Sequence, residues 1–160
     1  MLALGILLGG PSLGAAASVA APAGFDVADR ATLLTVHGEG AQVYQCQPDA
    51  GGRTVWTFRE PIATLIGDGK TIGRHYAGPS WELDDGGSVK GTLAASAPGA
   101  GPNDIPLLKL TVSEHRGAGA LAGASLILRL NTHGGAFKGP CATSGELHAE
   151  PYSADYVFLR

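Results

Sequence analysis

Pro61–Gly87 reads PIATLIGDGKTIGRHYAGPSWELDDGG, and its punctuation decides the fold. Two short runs, Pro61–Ile66 and Lys70–Tyr76, flank Gly67-Asp68-Gly69. Asp-Gly between apolar runs is the strongest short-range cue to a β-hairpin. A second Asp-Gly turn, Asp84-Asp85-Gly86-Gly87, lies between Ser80–Leu83 and Ser88–Ala97. Between these hairpins Gly78-Pro79 bends the chain, since proline fixes φ and glycine adopts conformations closed to other residues. Such corners fall at the rim of a sheet, where binding groups concentrate.

Toward the N-terminus, Ala31–His37 and Ala41–Gln47 are joined by Gly38-Glu39-Gly40, which reads as another hairpin. Alternation puts Tyr44 and Cys46 on one face of the second run. Pro48–Gly52 is a turn, and Arg53–Arg59 a strand whose Trp56 is expected in the core. Toward the C-terminus, Pro98–Pro106 (PGAGPNDIP) can hold neither ladder nor helix and reads as a mobile crossover. Leu107–His115 alternates as a half-exposed strand. Ala120–Thr132 is mostly apolar and fits a buried strand or strand pair, with a helix as its competitor until the neighbouring strands decide. After Asn131–Gly135 a loop through Lys138-Gly139-Pro140 leads to Cys141, and Asp155–Arg160 is expected as the last strand. The expected fold is all-β, one sandwich or flattened barrel of nine to ten short strands over residues 21–160.

Composition bounds the partners. Within 160 residues, 44% hydrophobic, the chain can bury one core, and its 25 Gly and 10 Pro without a fixed period suit many tight turns. Eleven basic residues against 14 acidic ones give a net charge of −3. The basic residues stand singly, which argues against nucleic acid and against an anionic membrane surface.

Residues 1–20 read as a signal peptide. Met1–Gly10 is apolar, Pro11–Gly14 breaks any helix, and Ser18-Val19-Ala20 offers a small-residue cleavage site within the Ala15–Ala23 run. The apolar run is shorter than the ~20 residues a spanning helix needs. A secreted, periplasmic or envelope location is therefore expected. Cys46 and Cys141 are the two cysteines, and an isolated pair in an exported domain reads as a disulfide. Neither has a second Cys or a His at ligand spacing, which argues against a thiolate metal site.

The landmarks Val43-Tyr44-Gln45-Cys46, Trp56, His75–Glu82, Asn131-Thr132-His133-Gly134-Gly135, Cys141 and Pro151–Tyr156 resemble those of a bacterial and fungal family of small secreted proteins catalogued as a domain of unknown function. The resemblance covers the chain from about Pro22. It implies no activity; some fungal members carry a dehydrogenase label, but no Gly-x-Gly-x-x-Gly here follows a strand and opens a helix.

Other catalytic signatures are missing as well: no Gly-x-Ser-x-Gly elbow, phosphate-cradling loop or His-Glu-x-x-His is present. Glu82, Asp84, Asp85 and Glu114 could supply a carboxylate pair but read as solvated turn residues. His37, His75, His115 and His133 fall near strand ends, and neutral imidazole is the commonest metal ligand. His75 and His133 are the candidate ligands for copper or zinc. Tyr76, Trp81, Tyr152 and Tyr156 have the flat faces and polar tips that suit sugar rings or small aromatic molecules, and equally suit a core. The expected ligand-binding residues are His75, Tyr76, Trp81, Glu82 and His133, the expected partner a small molecule or glycan. The expected function is a secreted or envelope-associated binding or structural module, with a metal-dependent extracytoplasmic enzyme as the alternative.

Overall fold

The computed structural model describes residues 20–27 and 29–160. The segment read as a signal peptide lies outside the described residues except for Ala20. Eight strands follow in order: β1 (Thr32–Pro48), β2 (Thr54–Gly67), β3 (Lys70–Tyr76), β4 (Ser80–Leu83), β5 (Ser88–Ala97), β6 (Leu107–Arg116), β7 (Leu126–Gly134) and β8 (Leu147–Leu159). Each pairs antiparallel with the next, and β8 returns to pair with β1 from Thr32↔Leu159 to Gln45↔Leu147. One sheet thus closes in an irregular ring, the all-β flattened barrel expected. Among the described residues no helix is long and apolar enough to cross a membrane.

The count of eight, rather than nine or ten, has two causes. Gly38-Glu39-Gly40 is not a hairpin but the middle of β1, and neither glycine has a positive φ. Their role is close approach: a Cβ on Gly38 would stand 2.6 Å from Cε2 of Tyr156, and one on Gly40 would collide with the Ile62 carbonyl. Likewise the two runs around Glu60-Pro61 form one strand, β2, with a bulge at Arg59, where Val43 pairs Glu60 and Tyr44 pairs Phe58. Proline cannot donate to a ladder and is tolerated in strands beside such irregularities.

Alternation sorts the side chains. The interior holds Val36, Leu65, Trp81, Val89, Leu110, Ile127, Tyr156 and Phe158, and Leu121 and Ala124 close the end of the ring where β1 begins. Filling a small barrel with side chains in this way is usual for eight strands. On the outside of β7 and β8, Leu126, Leu128, Leu130, Val157 and Leu159 form a second apolar layer, covered by Ala21, Phe25 and Val27 from the N-terminal stretch. Phe25 is 1% exposed and anchors that cover.

At the opposite end, β1, β2 and β8 run past the ring beneath the loop from Gly135 to Glu146. Cys46 and Cys141 are bridged there, with Cα atoms 5.9 Å apart, as the cysteine count led us to expect. Trp56 differs from expectation: it is half-buried, lying against Phe137 at 5.6 Å and His148 at 5.7 Å between ring centroids, because only that loop covers the strands here. The Pro98–Pro106 loop is also better fixed than its composition suggests. Asp104 accepts from the Gly134 and Gly101 amides at 2.7 and 2.8 Å, and Ile105 N–H donates to the Gly134 carbonyl at 2.9 Å.

Candidate functional site

The end of the ring that carries the disulfide opens into a cleft of about 490 Å³. Gly78 and Pro79 from the corner between β3 and β4 form one wall, and Ile105 and Pro106 from the tethered loop another. The β2 bulge completes the mouth. Phe58 and Pro61 are three apart, so an unbroken strand would send them to opposite faces. The extra residue, Arg59, restores both to the side of their partners Tyr44 and Gln42, and all four line the cleft.

The deep part of the cleft is polar. Gln42 is 2% exposed, and its Nε2 completes no hydrogen bond, although the amide faces the Tyr152 hydroxyl closely enough to lower that phenol's pKa. A buried donor left unpaired costs about 1–3 kcal/mol. His75 is also 2% exposed, with Nδ1 2.8 Å from the Ser80 carbonyl. That bond fixes the neutral tautomer with the proton on Nδ1, leaving Nε2 as an acceptor. Burial lowers the His75 pKa to about 4, against the opposing pull of the Ser80 carbonyl, and the charge of Arg129 lowers it further. The ring therefore stays neutral near neutral pH.

Arg129 points inward from β7 opposite Tyr156 and donates through Nε and Nη2 to the Pro106 carbonyl at 3.1 and 2.9 Å. It joins the floor of the cleft to the loop above. The Tyr152 and Tyr156 hydroxyls lie 3.0 Å apart beneath, and burial raises both phenols above their ordinary pKa. Tyr44 donates to the Gly135 carbonyl at 2.6 Å and accepts from the Phe137 amide at 3.2 Å, which ties the disulfide loop to the cleft.

The residues singled out from the sequence separate across the wall of the ring. His75 and Trp81 face inward at paired positions of β3 and β4. Only His75 lines the cleft; Trp81 is 1% exposed beneath it, part of the core. Tyr76 and Glu82 face outward. There the Tyr76 hydroxyl donates to Glu82 at 3.0 Å, Arg74 donates to Glu82 at 3.0 Å, and the Arg74 guanidinium lies 5.0 Å from the Tyr76 ring centroid. Those bonds lower the Glu82 pKa, chiefly through Arg74. The pair borders a separate shallow hollow of about 270 Å³ with Lys90, Glu114 and Arg116.

His133 is exposed, opposite Ser153 between the buried Tyr152 and Ala154, and so lies on the outer side of the sheet from His75. Among the described residues no group of three or more His, Cys, Asp or Glu is placed to hold a metal ion. Sequence reasoning missed Gln42, Arg129 and Phe58. Arg129 did carry a signal, as the lone charge in Leu126–Leu130; Gln42 carried none.

The family model described as "Protein of unknown function (DUF3455)" matches residues 27–160. No curated protein and no solved structure matches the chain.

Proposed function

The chain belongs to the DUF3455 family, a membership that names no activity, and from that premise we propose that it is an extracytoplasmic binding module taking one small ligand in the cleft. The observation that carries this reading is the unpartnered Gln42 amide, buried in a concave site with apolar walls. Small-molecule sites combine these features: a volume of a few hundred Å³ lined mostly by apolar side chains and a few convergent polar groups. Binding is favoured over catalysis by the state of His75, since a base with a pKa near 4 is poorly matched to proton transfer at neutral pH. The secreted or envelope location is supported by the Cys46–Cys141 bridge, because disulfides persist in oxidising compartments. The copper or zinc alternative has no comparable support, with His75 and His133 on opposite sides of the sheet.

The test is a thermal-shift and NMR screen of small aromatic and aliphatic fragments against the disulfide-bonded chain. Binding is expected to raise Tm and to shift the amides of His75, Ile105 and Leu108. A Leu108→Trp variant, which fills the cleft, is expected to abolish both effects. Shifts confined to the outer face, or binding unchanged in folded Leu108→Trp, overturn the reading.

A further inference from the structure

The charge lining the cleft is opposite to that of the molecule. The chain has a net charge of −3, with 14 acidic residues, yet two arginines and no Asp or Glu line the cleft. Arg59 at the rim is paired with Glu60 at 3.2 Å. No salt bridge among the described residues involves Arg129. Its neighbours are the Pro106 carbonyl and phenols that burial keeps neutral. One carbonyl oxygen takes two of the guanidinium's N–H groups and leaves the charge unneutralised. Arg129 is half-buried, and a cation partly withdrawn from water without an anion is less favourable than one in water, a cost that a bound anion would relieve.

We propose that the ligand is a small organic carboxylate with an apolar body, its head group held by Arg129 and the Gln42 Nε2 amide. The proposal rests on the reading of the cleft as a binding site and gives that site its chemistry. Guanidinium matches the planar, two-oxygen geometry of a carboxylate. Gln42 adds a buried donor that completes no hydrogen bond within the protein, its approach to the Tyr152 hydroxyl falling short of one. Phe58, Pro61, Pro79 and Leu108 offer the surface for a ring or short chain. A phosphate, with a second charge and more oxygens to satisfy, would meet only one unpaired guanidinium and one amide.

The test titrates benzoate, cinnamate and hexanoate into the disulfide-bonded chain by calorimetry and NMR, each against its primary amide. Amide and acid share size and shape and differ in charge. At least one acid is expected to bind in the cleft tenfold or more tighter than its amide, with shifts at His75 and Leu108. Arg129→Gln is expected to bring the acid down to the level of the amide, and Gln42→Leu to weaken it several-fold. If Arg129→Gln does not fold, the acid-to-amide ratio of the unmodified chain and the Gln42→Leu result decide. Equal binding of acid and amide in the cleft overturns the carboxylate assignment and leaves the binding reading standing. No saturable binding of any of the six in the cleft, while neutral fragments bind there, overturns the assignment alone; a cleft silent to both overturns both.

Discussion

The imidazole of His75 lies stacked on the indole of Trp81, with ring centroids 4.4 Å apart and planes inclined by 15°. The two residues face each other across β3 and β4, and Tyr156 packs against both rings, 5.0 Å from the imidazole and 5.4 Å from the indole. Burial in this three-ring cluster, together with the charge of Arg129, holds the imidazole neutral.

A dependence of stability on acid follows from it. The folded-state pKa of about 4 lies below the ordinary imidazole value of 6.5, so the unfolded chain takes up the proton first as pH falls. The contribution is complete above pH 6.5 and is lost as pH falls through the folded-state value, by about 3 kcal/mol in all. Urea unfolding between pH 7 and pH 4 is expected to show this slope, and His75→Phe to flatten it. An unchanged slope in that variant would place the titration elsewhere.

The unpartnered Gln42 amide predicts opposed effects on stability and binding. Replacing it with methionine, of similar length, removes the buried unpaired donor and is expected to stabilise the fold by about 1 kcal/mol. The same change is expected to weaken ligand binding. A Gln42→Met chain less stable than its parent in urea would mean that the amide has a structural partner.

Gly40 predicts intolerance in the middle of β1. A Cβ there meets the Ile62 carbonyl and the Ala63 backbone, which are held in the ladder and cannot yield as a flexible side chain would. Gly40→Ala is expected to cost about 3 kcal/mol, as for strained overpacking. A shift of less than about 1 kcal/mol in the unfolding free energy would show that the β1–β2 pair can move apart there.

The disulfide joins residues 95 positions apart. On the chain-entropy account its removal costs about 5 kcal/mol. Cys46→Ala/Cys141→Ala is expected to lower the urea midpoint accordingly, while the β1–β8 pairs survive in hydrogen exchange.

The turns were legible in the sequence and the long strands were not. Asp68-Gly69 and Gly86-Gly87 announce themselves because a tight hairpin needs positive φ, and Asp68, Gly69 and Gly86 have it. Gly38 and Gly40 look the same on paper, yet they serve packing across the ring, which depends on Tyr156 and Ala63 far away in the chain. The site was half legible for a similar reason. His75–Glu82 is dense in functional side chains, but strand alternation sends His75 and Trp81 inward and Tyr76 and Glu82 outward. Only the register Arg74↔Glu82 and His75↔Trp81 settles which residues share a face. Gln42, as deeply buried as His75, is placed by its partners on two neighbouring strands, Pro61 and Glu150, and had no local mark.

The pairing of β1 with β8 also governs when the molecule can form. Thr32 meets Leu159, and the Arg160 amide donates to the Ala31 carbonyl at 2.9 Å, so the seam joins the first strand to the final one. Until β8 has been made, the ring has two open edges, and no earlier fragment contains a closed fold. Contacts so distant in sequence form slowly. Because the seam makes the start of β1 and the end of β8 neighbours, linking Ala31 to Arg160 and reopening the chain at Asp68-Gly69 would preserve every strand pair but change which one closes last.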